Sequence, residues 1–504
     1  MQQVDFRPLM RNVHAFAKAG GITIRGYQRP AVDAIVDSVM NHKGLRFVVE
    51  FPRQSGKNEI QAQVENYLLF RFMQRGGQIV KISPTWKPQS INAKQRFERV
   101  AKANQITEKF VQPSQGYQFK MGGEKTKIIF LSGEKNSNIV GNTADLLLEI
   151  DEAQDIDKVK FDKEITPMAA STNATIVFFG TAWTNETLLH RERVFCEEQE
   201  RKDGIKRVFL LTCEDVFPEV PAYKSFVLAE IAKLGRNHPT IRTQYFSEEI
   251  DAESSFIKDA EMLMAGDHDR REEPESGHIY AMMIDVAGGE EENKAGIKLE
   301  TDESQKRDAT AITICDIELS TLSTVKHGVT WKVVCRYNWT GLPQVEQYAR
   351  IEGLVNKWNP YVCIDGTGTG MGLSAFVRQL VPEDRFINFV FSLSSKSKMG
   401  WAWLGMVQTG RWKEYRQRDA LQERYFEQIQ YCKYEVVPGP GNLVKFAVPD
   451  GTRNGQGEYV HDDLIMSAAM SAVIEEKIGG SWITPADTLV VEAVDPLEQL
   501  QSSW

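Results

Sequence analysis

The sequence is poor in the features that mark secreted, membrane-spanning or metal-cluster proteins. Its six cysteines, Cys196, Cys213, Cys315, Cys335, Cys363 and Cys432, form no CxxC pair. That excludes the spaced thiolates of a zinc cluster and leaves reduced core thiols as the expectation. No run of 18 apolar residues occurs, so no spanning helix and no membrane partner are expected. The opening MQQVDFRPLMRNVHAF has no apolar signal-peptide core, and a soluble, intracellular protein is expected. Low-complexity tracts and repeats at solenoid periods are also missing, which argues against a disordered chain or a repeat array.

What is present is an ordinary globular composition, 42% hydrophobic and 26% charged, in 504 residues. This exceeds the roughly 250–300 residues at which single cores stop growing, so two domains are expected. The net charge of −9 opposes a nucleic-acid partner, but its distribution does not. Residues 1–140 carry 22 basic and 10 acidic side chains, and residues 251–504 carry 25 and 39. A basic N-terminal lobe is suited to following a phosphate backbone, while the acidic lobe has carboxylates for other work. Uneven surface charge alone explains the same numbers.

Apolar, β-branched runs at 44–52, 78–83, 127–131, 145–151 and 174–180 alternate with helix-length periodic segments. That pattern predicts an α/β lobe with a mainly parallel sheet over 1–250. The polar stretch AGDHDRREEPESGH falls within residues 251–277, read as a linker. Strand-like runs at 279–286, 309–317 and 332–339 then precede the first clear helix, 342–358, with further runs at 361–365 and 386–391. A second lobe over 278–478 is therefore expected to open with antiparallel strands and continue as α/β. Residues 479–504 are read as a flexible acidic tail.

The stretch FPRQSGKNEI, residues 51–60, follows a strand pattern and opens a helix pattern. Backbone N–H groups in such a turn can wrap an anion, with lysine reaching the β and γ phosphates. Arg53, Gln54, Ser55, Gly56, Lys57 and Asn58 form this candidate loop for ATP, although Phe51 replaces the first glycine and Asn58 the usual hydroxyl residue. An amide oxygen can still serve Mg²⁺. A plain strand-to-helix turn explains the loop equally until LLLEIDEAQDI is considered, 94 residues further on, where an apolar strand ends in Asp151-Glu152. An aspartate there suits Mg²⁺, and the following glutamate suits activation of the attacking water. Tyr27 and Gln28 in GYQRPAV are candidates for stacking on adenine and reading its edge. Thr181 follows the strand-like TIVFFG in a position suited to coupling.

In the second lobe, Asp285 ends IYAMMID, Asp365 ends YVCID, and Asp462-Asp463 open LIMSAAMSAVI. Clustered carboxylates repel one another unless a cation compensates them, so these four are candidate catalytic metal ligands for Mg²⁺ or Mn²⁺. Each also has a structural reading, as a helix N-cap or a turn. Asp308 and His461 are accessory candidates, and Lys396 and Lys398 are candidate phosphate contacts.

The order RQSGKN, IDEAQDI, FFGTAW and a late HDDL after two strand-end aspartates resembles the large terminase subunit of tailed bacteriophages. The resemblance covers nearly the whole chain and implies a P-loop ATPase domain of the RecA/ASCE type followed by an RNase H-like nuclease domain. It implies an ATP-driven motor that translocates double-stranded DNA through the portal into a procapsid, and a metal-dependent endonuclease that cuts concatemers. Implied partners are DNA, the portal protein, a small terminase subunit and further copies in a ring, expected as a pentamer. Implied localisation is the host cytoplasm and, transiently, the portal vertex, but not the mature virion. Residue by residue, it implies phosphate binding by Lys57, a γ-phosphate contact for Arg53, Mg²⁺ at Asp151, catalysis by Glu152, coupling by Thr181, and nuclease ligation by Asp285, Asp365 and Asp462 or Asp463. Ring ATPases often borrow an arginine from a neighbour, yet none occurs between Arg99 and Arg191; Lys135, Arg96, Arg99, Arg191 and Arg193 are the candidates. A helicase-like translocase fused to a nuclease, and a non-catalytic assembly scaffold, are the alternatives.

Overall fold

Buried strands whose two faces are both apolar organise the N-terminal half. In the computed structural model, which describes residues 11–251, 253–287, 309–319, 328–368, 370–437 and 443–478, the chain divides into two compact units. These are Met1–Glu253 with Val436–Asn442, and Ser254–Glu435 with Leu443–Trp504. The proposed tail 479–504 and Asp308 lie outside the described residues.

The first unit holds a seven-stranded sheet made of β1 (Arg46–Glu50), β2 (Gly77–Ser83), β3 (Gln118–Lys120), β4 (Thr126–Ser132), β5 (Leu147–Ile150), β6 (Thr175–Gly180) and β7 (Val208–Leu210), in the order β3-β4-β2-β5-β6-β1-β7. Every pairing except β3 with β4 is parallel. Side chains alternate across the sheet, so Phe47 and Val49 join one core with Ile60, Val64 and Leu68, while Val48 joins another with Ile82, Leu148 and Phe178. Because β6 lies between β1 and β5, the carboxyl ends of all three parallel strands open on one edge. The sheet is thus the mainly parallel one expected for an α/β lobe.

The second unit carries β8 (Ile279–Asp285), β9 (Thr310–Glu318), β10 (Thr330–Trp339), β11 (Tyr361–Asp365), β12 (Phe386–Phe389) and β13 (Trp412–Lys413), ordered β12-β11-β8-β9-β10-β13. β8, β9 and β10 form an antiparallel meander, and β11 and β12 continue in parallel on the other side of β8. The sheet is therefore mixed, antiparallel on one side of β8 and parallel on the other. The Val362↔Met282 to Ile364↔Ile284 register places Asp365 beside Asp285 one step further on.

Residues 251–277 are not an open linker. From Ser254 onward they belong to the second unit: Phe256 stacks on Phe446 with ring centroids 4.5 Å apart, and the Arg271 N–H donates to the Val334 carbonyl oxygen. The apolar and aromatic residues set among the charges find core partners that their local composition does not announce. All six cysteines are free and buried, and no described helix is long and apolar enough to cross a membrane.

Candidate active sites

The loop after β1 turns sharply into helix Lys57–Phe72. Gly56 has φ +89° and Gln54 φ +61°. A Cβ on Gly56 would lie 2.6 Å from the Gln28 amide nitrogen, so glycine is required by both conformation and space. Ser55 Oγ donates to the Pro52 carbonyl at 2.7 Å. Arg53 donates its backbone N–H to Gln244 and accepts from the Tyr223 hydroxyl through its carbonyl, while its side chain is exposed. Gln28 Nε2 and Tyr27 OH both donate to the Ser55 carbonyl, at 2.9 and 2.8 Å. The Gln28 Oε1 in turn accepts from Arg25 N. As placed, the Gln28 amide braces the loop rather than presenting a free edge to adenine.

Lys57 is buried, and its Nζ donates to Gly180 O at 2.8 Å, Thr181 Oγ1 at 3.2 Å and Phe51 O at 3.3 Å. The loop lysine is thus tied to the end of β6. On the next strand, Asp151 Oδ1 accepts from Gln61 Nε2 at 3.1 Å. Burial pushes the Asp151 carboxyl above its ordinary range, against the pull of Lys81. Glu152 stands in a left-handed conformation, φ +44°. Asn58, Gln61, Lys81, Arg96, Asp151 and Glu152 line one cavity of about 100 Å³. Loop, aspartate and glutamate therefore converge in space.

Beneath them lies a buried polar cluster not anticipated from the sequence. Lys81 Nζ donates to Glu65 Oε1 at 2.6 Å and to Gln61 Oε1, and lies 3.6 Å from Glu149. Burial alone would depress the Lys81 ammonium, but Glu65, Glu149 and Asp151 outweigh it and hold its pKa above the usual value. Burial, and then Glu65, drive the Glu149 carboxyl well above its ordinary range, against the pull of Lys81. A sequence signal existed: Lys81 and Glu149 are single charges inside apolar strands, and they are register partners.

The arginine candidates separate by their partners. Arg191 is paired to Asp162 and Glu192, and Arg193 to Glu50 and Glu249, all within this unit. Arg99 bonds Glu59 at 2.5 Å. Arg96 faces the cavity, and Lys135 is 79% exposed beside Asp157.

In the second unit, Asp285 ends β8 and Asp365 ends β11, while helix Asp463–Ala469 packs on β9 through Ser467, whose hydroxyl lies 2.8 Å from that of Thr313. Burial raises the Asp285 carboxyl well above its ordinary value, and Asp462, Asp365 and Asp463 add to it. Burial likewise raises Asp365, whose Oδ1 accepts from Thr367 N at 2.8 Å. The two late aspartates differ. Both Asp463 oxygens accept amide hydrogens, from Gln428 at 2.7 Å and Asn338 at 3.1 Å, in a buried position. Asp462 is 30% exposed, with Lys396 Nζ at 3.7 Å.

The metal set expected from the sequence is Asp285, Asp365, Asp462 and Asp463. Among the described residues, no group of three or more His, Cys, Asp or Glu is gathered closely enough to hold a metal ion. The carboxylates share one electrostatic field but not one ligand sphere, and mutual repulsion favours such spacing. Their chemistry nevertheless fits a hard cation, because Asp462, Asp365 and Asp463 all act electrostatically on Asp285, with Lys396 as the opposing cation. Asp463 acts as an internal hydrogen-bond anchor in this arrangement. Lys398 pairs with Glu476, and His461 lines a groove of about 730 Å³ with Glu423, Glu427 and Glu458.

No family model and no curated protein matches the sequence. Solved structures do resemble the chain. The large terminase of a thermophilic bacteriophage is 11% identical, covering 88% of this chain and 98% of its own, with a TM-score of 0.46. The HK97 bacteriophage large terminase is 13% identical over 92% and 99%, with a TM-score of 0.38. The large terminase nuclease of thermophilic phage G20c, solved with bound magnesium, is 16% identical over 44% of this chain and 96% of its own, with a TM-score of 0.30.

Proposed function

We propose that this protein is a viral DNA-packaging motor: an ATPase that translocates double-stranded DNA and a metal-dependent endonuclease that cuts concatemeric DNA at initiation and termination. The observation that carries the reading is the seating of Lys57 against Gly180 and Thr181, with Asp151 and Glu152 opening on the same sheet edge. In the motor reaction the loop N–H groups and Lys57 bind the β and γ phosphates, and Glu152 orients the attacking water and accepts its proton. Asp151 and Asn58 would hold Mg²⁺ at the first site, and Asp285, Asp365 and Asp462 would hold Mg²⁺ or Mn²⁺ at the second. Bound divalent cations supply charge neutralisation of the phosphates at one site and activation of water for phosphodiester hydrolysis at the other. Arg53, exposed on the loop, would contact the γ phosphate, and Lys396 a DNA phosphate.

This reading extends to partners. Double-stranded DNA is the polymer moved and cut, the portal protein of a procapsid and a small terminase subunit are the docking partners, and copies of this chain form a ring, proposed as a pentamer, on the portal. The site of action is the host cytoplasm and, transiently, the portal vertex.

The test uses the full chain. Glu152→Gln is expected to retain nucleotide binding and to lose ATP turnover by about 100-fold or more. Asp285→Asn is expected to end Mn²⁺-dependent plasmid cutting while leaving ATP turnover intact. Unchanged hydrolysis in the first variant removes Glu152 from its role, and persistent cutting in the second dismisses the Asp285, Asp365 and Asp462 set. Wild-type protein that neither hydrolyses ATP nor packages DNA with portal and procapsid is a scaffold instead.

A further inference from the structure

The ATPase reading uses Glu152 and Thr181 but leaves unexplained what lies between them. The side chain of Gln154 does. Its Nε2 donates to Glu152 Oε2 at 2.9 Å, and its Oε1 accepts from the Thr181 backbone N–H at 3.2 Å. Thr181 Oγ1 accepts in turn from Lys57 Nζ. A chain of hydrogen bonds therefore runs from the carboxylate proposed to activate water, through one amide, to the residue that follows β6, and on to the phosphate-binding lysine.

Two further features fit this chain. Gly180 has no room for a side chain, since a Cβ would lie 2.5 Å from Gln154 Oε1. The backbone of β6 thus approaches the amide as closely as glycine allows. Glu152 is held at φ +44°, a left-handed conformation that is unfavourable for a non-glycine residue and persists where surroundings over-determine it. The Gln154 amide supplies such a constraint from the side-chain end. It also donates to Asp155 Oδ2 at 3.4 Å. An amide is the functional group this position needs, because one end must donate to a carboxylate and the other must accept from a backbone N–H.

We infer that Gln154 is a positioning residue for ATP hydrolysis: its amide makes the placement of the Glu152 carboxylate depend on the position of Thr181 at the end of β6. A displacement of β6 is then felt at the water-activating carboxylate and at Lys57 together. The inference rests on the ATPase reading above and deepens it.

The experiment measures ATP turnover and fluorescent-nucleotide binding on the full-length wild type and on Gln154→Ala, Gln154→Glu, Glu152→Gln and Glu152→Gln/Gln154→Ala. Expected is a fall in kcat of about 10- to 100-fold for Gln154→Ala, with nucleotide affinity within about threefold of wild type. Gln154→Glu keeps the acceptor for Thr181 N–H but cannot donate to Glu152, so it should be as slow as the alanine variant. A residue that merely supports the turn would leave Gln154→Glu near wild type. In the Glu152→Gln background, loss of Gln154 should cost nothing more. Turnover of Gln154→Ala within about twofold of wild type, or above it, overturns the inference, as does a Gln154→Glu variant at wild-type speed. A wild type without ATP turnover defeats the ATPase reading itself, whereas a Glu152→Gln variant at full speed leaves that reading standing and removes the role of Glu152 and the relay with it.

Discussion

Lys57 Nζ lies 2.8 Å from the Gly180 carbonyl oxygen, across 123 residues of sequence. The lysine of the loop after β1 is thereby anchored on β6, the strand that separates it from the acidic pair. Replacement of Lys57 removes both a cation for phosphate and a tie between adjacent strands. Lys57→Ala is expected to weaken ATP binding by at least about 10-fold and to abolish turnover, as measured by nucleotide titration and phosphate release. Wild-type affinity in that variant would contradict the role.

Gly56 is the pivot of the same loop. Alanine there meets the left-handed φ of +89° and the Gln28 amide at 2.6 Å. Gly56→Ala should destabilise the protein by about 1–2 kcal/mol from backbone strain alone and weaken nucleotide binding, because Gln28 must leave the Ser55 carbonyl. Denaturant unfolding and nucleotide titration check both. An unchanged midpoint would show that the loop relaxes freely.

Lys81 is ion-paired with both Glu65 and Glu149, and Asp151 adds to the field that holds it charged. Removing one partner of a buried ion pair typically costs about 3–5 kcal/mol. Lys81→Met is therefore expected to lower stability by that order, whereas Lys81→Met combined with Glu65→Leu should recover much of it. Thermal unfolding of the two variants distinguishes a required cation from a packing role.

Glu50, buried at the end of β1, has its pKa pushed up to about 7 by burial, although Arg193 pulls it down. A carboxyl raised in the folded state binds its proton more tightly there than in the unfolded chain. Its contribution is full at low pH and is lost as pH rises from about 4.5 through about 7, a change of about 3 kcal/mol at about 1.4 kcal/mol per pH unit. Glu50→Gln should flatten the pH dependence of unfolding in that window. A slope identical to wild type would mean that Glu50 does not titrate there.

Asp462 and Asp463 should behave differently despite being neighbours. Asp463→Asn turns one accepting oxygen into a donor facing the amide of Gln428 or Asn338, at a cost of about 1–3 kcal/mol. Asp462→Asn should leave stability unchanged and reduce Mn²⁺ affinity and DNA cutting. Thermal unfolding and metal titration on both variants check the assignment, and the reverse pattern would exchange the two roles.

Much of the site is legible in the sequence because it is local. A β-branched run, a turn with Gly56-Lys57 and a helix are adjacent in sequence, and so are the β5 run and Asp151-Glu152. Strand periodicity and the residue types at strand ends follow from short-range steric and burial rules, so the two sheets and their acidic ends can be read without coordinates. The stretch 251–277 misleads for the same reason: its polar composition is local, while the packing of Phe256 on Phe446 is not.

By itself the sequence determined the strands, the loop chemistry and the supply of carboxylates. Only the tertiary structure decided which side chains meet: Lys81 with Glu65 and Glu149, Gln154 with Thr181, and Asp463 rather than Asp462 with Gln428. The reason is physical. Hydrogen bonds and charge compensation act over a few ångströms in space, and which residues fall within that reach is set by strand order and register rather than by position along the chain.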